Sequence, residues 1–475
     1  MSPTKTQTIP EDLEPRFSAI KQKLVKPENV EAVTASWKRL LKDIEQEFAV
    51  IEKEGSAYVP QVQWQEIVDN DYQLPTEVQQ KFKERGSIMV HGVVDEDQIN
   101  KWFDDLVQFC KDHPETAGYT FPNPTLWYNV FWTKPQTEAR SHPNVKKLIN
   151  IMSNQFTAKN PDSLIDLNSQ VVYGDRIRIR PPGTKARLPL HLDLSSIERW
   201  EDPVYRSVYQ EIFEGNWEQW DPYAIDKRAY AIENMYNDLE SARDTICSAF
   251  RTLQGWLGLS DNRLGEGTLR VLPNVKLTMA YIMLRPLFWR DPVSGNIDDY
   301  EIDLETPKFP GARPSTGQLY LADELYPHLR QRQLCVSVPD VKKGTFVFWH
   351  SDLPHEVDKE HHGNTDSSVF YYGVAPLSPV NIDTLLDTKN AFTHNILPED
   401  YRSQLTEENK AKEYQGASVD HIGDDVDFKR LMGLAEFDTA EPGLTAGQIG
   451  IRELANQALA ANAFDHHQYL KANPL

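Results

Sequence analysis

The chain has 475 residues, 40% hydrophobic and 25% charged, which is ordinary for a folded protein with a large core. Its formal net charge of −21 disfavours non-specific attraction to nucleic acid or to an anionic membrane. Three cysteines without a C-x-x-C pair exclude a disulfide framework, and there is neither an apolar leader nor a run of about 18 apolar residues, so the expectation is a soluble cytoplasmic protein.

Residues 1 to about 12 are polar. From Pro27 onward Val30, Val33, Trp37, Leu40, Leu41, Ile44, Phe48 and Ile51 recur at three- and four-residue steps. That spacing predicts a long helix whose apolar stripe packs on the body of the protein. Residues 76–113 read as helix, strand, helix, with the strand at Ser87–His91. The second helix is capped near Asp95 and carries Ile99, Trp102, Phe103 and Leu106 on one face. An aromatic- and Pro-rich stretch, FPNPTLWYNVFW, leads to a helix from about 142 to 156.

Strands dominate between 171 and 380: VVYGDRIRIR, TICSAFRTLQGWLGL, GTLRVLP, KLTMAYIML, GTFVFWH and SSVFYYGVAP. Two insertions interrupt them, 197–243, charged and rich in Trp and Tyr, and 286–330, rich in Pro. Many strands with long insertions predict a barrel or a double-sheet jelly roll carrying lids. The tail from about 400 is polar and mostly helical, as in IRELANQALAANAF.

The strand ending in RIRIR carries Arg176, Arg178 and Arg180 on one face and Ile177 and Ile179 on the other. Five basic residues and one acid fall within 175–190, a local reversal in an acidic chain. It suits an anionic ligand such as a dicarboxylate, because Arg binds a carboxylate through two parallel hydrogen bonds. Pairing with surface Asp and Glu is the competing explanation. RPPG, residues 180–183, ends the strand because Pro lacks the ladder N–H, and the loop beyond delivers His191 and Asp193.

An H-x-D on a strand aims both side chains at one face. Two imidazoles and a carboxylate make a facial triad that leaves three positions on Fe(II), two for a bidentate 2-oxo acid and one for O2. For the third ligand, GTFVFWHSDLPHEV offers two histidines: His350 on a strand face with Phe346 and Phe348, and His355 beginning the return strand after a turn at 351–354. A ligand at a strand start beside a tight turn is well held, so His355 is preferred to His350. His361 and His362 lie in a polar loop, His328 in a loop-like region, and His466 and His467 in the tail; all rank below these two.

The order H-x-D, GEGTLRVLP, strand–turn–His resembles that of the Fe(II)/2-oxoglutarate-dependent oxygenases, most closely the phytanoyl-CoA hydroxylase-like branch. More specifically, the strings DLEPRFSAIKQKL, ASWKRLL, FWTKPQTEARSHPNV, DRIRIRPPG, SSIERWEDPVYRSVYQEIFEGNWEQWDPY, FRTLQGWLGLS and FWHSDLPHEV resemble the YbiU-like family, domain of unknown function 1479. The likeness runs from about residue 12 to about 440.

The resemblance implies a mainly β protein with helical flanks, built on a double-stranded β-helix, the jelly-roll core of cupin-like proteins. Residues 166–400 would be that catalytic core, interrupted by the two insertions; 1–165 would be an N-terminal helical region packed on it, and 401–475 a helical or extended tail. It implies Fe(II) held by His191, Asp193 and His355, with 2-oxoglutarate as cosubstrate and O2 as oxidant. Arg180 falls where the relatives put a basic residue before the P-P-G turn, near the 2-oxoglutarate. Trp256 falls where they place a Trp beside it, and Gln254 shares the face of Trp256. In one place the chain departs from the pattern. Where the relatives carry an Arg about a dozen residues after the distal His, this chain has Ser367 and Ser368, so either the serines assist an arginine from another strand (Arg180, Arg178 or Arg251) or the cosubstrate is bound differently. The expected substrate is a small molecule, most simply hydroxylated. A cupin-type metalloenzyme that uses no 2-oxo acid and a non-catalytic cupin-like binding protein are the rival readings.

Overall fold

Helix Val30–Glu54 forms where the spacing predicts it, and it buries Val33, Trp37, Leu40, Ile44, Phe48 and Ile51. The computed structural model describes residues 13–113, 118–119, 127–186, 188–231, 247–289, 299–314, 316–402 and 416–474. Parts of both expected insertions (232–243, 290–298 and 315) and residues 121–126 of the aromatic stretch lie outside the described residues. The long helix packs on a second one, Val275–Leu284, and Trp37 stacks on Phe288 at 4.5 Å and on Tyr281 at 5.2 Å.

That second helix overturns an expectation, because KLTMAYIML reads as a strand. Every side chain of Val275–Leu284 except Lys276 is buried. No polar face is left to reveal a helical period, and only the Asn274 cap, which accepts from the Leu277 N–H, marks its start. The strand in VVYGDRIRIR also shortens, to Ile177–Arg180. Its first half leaves the ladder, with the Val172 N–H donating to the Leu431 carbonyl of the tail. TICSAFRTLQGWLGL likewise contributes only Leu253–Gly258.

Among the described residues one sheet has eight strands, in the order Gln61–Gln63, Ser87–His91, Phe346–His350, Leu253–Gly258, Ser367–Val374, Ile177–Arg180, Trp127–Tyr128, Gly118–Tyr119. A smaller sheet has the order Leu319–Tyr320, His191–Leu192, His355–Val357, Leu269–Val271, Val336–Ser337. From Ile177 onward the chain alternates between them, so that His191–Leu192, Leu269–Val271 and His355–Val357 each fall between strands of the larger sheet. The architecture is thus β-rich, one mixed sheet and one smaller antiparallel sheet with helices. The N-terminal region takes part in it, since Ser87–His91 pairs antiparallel with Phe346–His350.

Register decides which side chains face the smaller sheet. Gln254 pairs with Gly373, Trp256 with Tyr371, Arg178 with Val369 and Arg180 with Ser367. Directly paired residues project to the same side and alternate along each strand. Gln254, Trp256, Tyr371, Ser367, Arg178 and Arg180 therefore share one face. Ser368 pairs with Ile179 and takes the opposite face.

The charged, aromatic insertion after residue 197 folds into short helices, Glu198–Glu201, Pro203–Ser207 and Gln210–Phe213. Its Trp200, Tyr205, Tyr209, Trp217 and Trp220 are buried. In the tail, helix Ala446–Ala461 is fastened by Arg452, whose Nε meets Asp166 at 2.7 Å in a buried pair. No helix among the described residues is long and apolar enough to cross a membrane.

Candidate metal centre

Antiparallel pairing sets His355 directly across from His191, with ring centroids 4.4 Å apart. Asp193 follows the short strand His191–Leu192, and Leu194, a non-glycine residue at φ +76°, turns the chain away at once. The ligand atoms of His191, Asp193 and His355 all lie within 4.8 Å of one another, close enough to hold a metal ion. His191 Nε2 is 3.4 Å from Asp193 Oδ1, and His355 Nε2 is 3.4 Å from Asp193 Oδ2. Each ring donates from Nδ1 to the carbonyl two residues before it, His191 to Pro189 at 2.8 Å and His355 to Leu353 at 3.1 Å. That bond fixes the tautomer and turns the Nε2 lone pair toward the carboxylate.

The carboxylate is held from behind. Gln254 Nε2 donates to Oδ2 at 2.6 Å and Gln318 Nε2 to Oδ1 at 2.8 Å. The other end of each amide is occupied too: Trp349 Nε1 donates to Gln254 Oε1 at 3.0 Å, and the Tyr320 hydroxyl to Gln318 Oε1 at 2.8 Å. Neither amide can flip without losing two bonds.

A buried guanidinium joins the two ligand-bearing segments. Arg199 donates to the Asp193 carbonyl at 2.7 Å and to Asp352 Oδ1 at 2.6 Å. Asp352 sits in the turn that delivers His355 and also accepts from the Tyr209 hydroxyl at 3.1 Å.

Charge follows from these contacts. Burial alone would raise the Asp193 pKa, but His191 and then His355 hold it well below the ordinary carboxylate range. Burial lowers His191, and the Asp193 carboxylate outweighs burial, leaving it raised. His355 is lowered, first by burial and then by its neighbour His191.

His350, the alternative ligand, lies on the other side of the larger sheet. Its Nε2 donates to the Pro222 carbonyl at 2.9 Å, its Nδ1 accepts from the Asp352 N–H at 3.0 Å, and its ring stacks on Phe156. His361 is bonded to Thr365 and Gly363, His328 to Tyr281 and His466 to Asp383. None of these joins the triad.

The arginine strand is buried rather than paired at the surface: Arg178 is 3% and Arg180 1% exposed. Arg180 donates to Thr184 Oγ1, the Thr184 carbonyl and the Gly267 carbonyl, and Arg178 to that same Gly267 oxygen. Arg178 Nε is buried without a partner, and neither guanidinium meets a carboxylate among the described residues. Arg176 stands before the strand, over the Tyr401 ring.

Two of the expected cosubstrate residues stand elsewhere than their roles require. Gln254 is spent on Asp193 and Trp349, so both ends of its amide are engaged in orienting the Asp193 carboxylate. Ser368 faces away from Arg178 and Arg180, and Ser367 is the serine on their side, one residue earlier. Sequence reasoning missed Arg199, Asp352, Tyr320 and Gln318. Asp352 was visible inside the S-D-L-P-H turn, whereas Gln318, 125 positions from Asp193, gave no signal.

Comparison with known proteins agrees with this architecture. Over 410 residues the chain is 27% identical to the uncharacterized protein YbiU of Escherichia coli strain K12, covering 82% of this chain and 88% of that one. Among solved structures, GlcNAc Inducible Gene 2, GIG2 (DUF1479), from Candida albicans is 58% identical, with a TM-score of 0.90 over 98% of this chain and 99% of that one. A hypothetical protein from Escherichia coli, JW0805, shares the fold at 24% identity, with a TM-score of 0.73 over 90% of this chain and 99% of that one. The profile of the Gig2-like family matches residues 11–434. The strings that resembled YbiU-like proteins are borne out, and the chain belongs to the Gig2-like family.

Proposed function

We propose that the protein is a non-haem Fe(II)- and 2-oxoglutarate-dependent oxygenase that hydroxylates a small molecule. The observation that carries the proposal is the triad: two Nε2 lone pairs and an ionised carboxylate oxygen converge, each fixed by a hydrogen bond from behind. Two imidazoles and one carboxylate with open positions are the donor set of non-haem Fe(II) oxygenases. Iron held there would supply the activation of O2 that no protein side chain can provide. The net reaction takes substrate C–H, O2 and 2-oxoglutarate to C–OH, succinate and CO2.

The chain's own residues do the rest. Gln254 and Gln318 orient Asp193, and Arg199 fixes the spacing of the two ligand segments. Arg180, across from Ser367, and Arg178 offer charged donors to the far carboxylate of the 2-oxo acid. Trp256 and Tyr371 wall the face between those arginines and the metal ligands, which excludes water. The strand alternation from Ile177 onward supports a double-stranded β-helix within 166–400 as catalytic core, to whose larger sheet residues 1–165 add four strands, with 401–475 as a flank.

The test is an anaerobic titration of the metal-free protein with Fe(II) and then 2-oxoglutarate, following the weak visible charge-transfer band of the bidentate complex. The band is expected in the wild type and absent in Asp193→Ala. Iron binding without the band would favour a cupin-type enzyme that uses no 2-oxo acid, and no iron binding would remove the metal reading.

A further inference from the structure

Arg251, which the sequence offered beside Arg178 and Arg180 for the far carboxylate of the cosubstrate, lies just before strand Leu253–Gly258 and is not used in the proposed function. It is 7% exposed. Among the described residues its guanidinium makes no hydrogen bond and no ion pair, and its Nε is buried without a partner. Its charge rests over the Tyr173 ring, 5.3 Å from the centroid.

The carboxylates nearby are already engaged. Asp400 Oδ2 accepts from the Tyr173 hydroxyl and the Ser248 N–H, both at 2.9 Å. Asp175 Oδ1 accepts from the Tyr401 hydroxyl at 3.0 Å and the Arg176 N–H at 2.7 Å. They act on Arg251 through space, as Asp193 does, without touching it. An unpaired buried cation is costly to keep unless something pairs with it.

Its position says what that partner adjoins. The Arg251 stem crosses strand Ser367–Val374 at Gly373, where an added Cβ would stand 2.7 Å from Arg251 Cδ. Gly373 is the cross-strand neighbour of Gln254, which bonds Asp193. Arg178 and Arg180 sit at the other end of that strand, across from Val369 and Ser367. The two unpaired groups therefore belong to opposite ends of one strand. A small dicarboxylate engaged with Arg180 leaves Arg251 at the metal-ligand end still without a counter-ion.

We infer that Arg251 is a substrate-recognition residue and that the molecule oxidised carries an oxyanion, a carboxylate or phosphate group. This rests on the oxygenase reading, so the test separates the two. Anaerobic protein loaded with Fe(II) and saturated with 2-oxoglutarate is titrated with acetate, and with neutral acetamide as control, following the shape of the visible band. Acetate should perturb the band in the wild type and acetamide should not. The acetate response should weaken at least tenfold in Arg251→Gln and be partly retained in Arg251→Lys. Gly373→Ala, which displaces the arginine stem without removing its charge, should weaken it as well. An equal response in wild type and Arg251→Gln, or no acetate response in a wild type that forms the band, would overturn the inference and leave Arg251 as a structural neighbour of Tyr173. If the band never forms, the oxygenase reading has failed. Calorimetric titration of the metal-free protein with inorganic phosphate then decides Arg251 alone. Loss of binding in Arg251→Gln but not in Arg180→Gln supports the site, and any other pattern, including no binding at all, rejects it.

Discussion

Arg199 and Arg180 are equally buried, at 0% and 1% exposed, yet their surroundings differ in kind. Arg199 meets the Asp352 carboxylate at 2.6 Å, a hydroxyl and a main-chain carbonyl. Arg180 meets only neutral oxygens, those of Thr184 and Gly267, and Arg178 shares one of them. A guanidinium neutralised from within is part of the framework. One left charged among neutral oxygens has capacity for an anion that comes from outside.

The largest effect should follow from breaking the neutralised side. Arg199→Met deprives buried Asp352 of its ion-pair partner and leaves it the Tyr209 hydroxyl and the more distant Arg228 charge, at a cost of about 3 kcal/mol in urea unfolding of the metal-free protein. The double variant Arg199→Met/Asp352→Asn should recover part of that loss. A cost below about 1 kcal/mol would erase the distinction between the two arginines.

The same pair has a pH signature. Burial opposes ionisation of Asp352, but Arg199 and then Arg228 outweigh it and lower its carboxyl from 3.8 to about 2. A carboxylate lowered in the folded state stabilises above its unfolded value, and the gain is lost as pH falls through the folded one. On the order of 2 kcal/mol should therefore disappear between about pH 4 and pH 2. Asp352→Asn should flatten the stability profile in that window.

On the unneutralised side the expectation reverses. Arg180→Gln strands no carboxylate, so unfolding stability should move by less than about 1 kcal/mol. The 2-oxoglutarate Kd, read from the same anaerobic titration, should rise about ten- to a hundredfold, as for a lost charge-assisted bond. A large stability loss with unchanged affinity would make Arg180 framework after all. Smaller still, Gln318→Leu should weaken Fe(II) binding about tenfold, because Asp193 loses one of its two amide donors.

Much of the centre was legible because its chemistry is local in the chain. His191 and Asp193 are two residues apart, and the turn at 351–354 separates His355 from His350 onto different sheets. The preference for His355 rested on its strand start, and the structure adds the physical reason: both ring nitrogens of His350 are already bonded. The basic strand was legible as a local charge reversal. Pairing across long separations was not. Gln318 and Arg199 come from the insertions, where no period fixes an orientation. Ser368 shows how a one-residue shift on a strand reverses the face. Helix Val275–Leu284 was misread because burial on all sides removes the pattern that distinguishes helix from strand.

The hydrogen bonds behind His191, Asp193 and His355 bear on how an ion bound there would be acquired and lost. Two carbonyls and two amides orient all three side chains through bonds made by the protein alone, so the socket should not depend on an ion for its shape. An ion that enters a finished socket stabilises the fold only by mass action, unlike one around which a small domain must fold. Chelation should yield a folded protein with a modestly lower Tm. Exchange of one divalent ion for another should proceed without unfolding. Which ion occupies the socket then depends more on the surrounding supply than on the order of folding and loading.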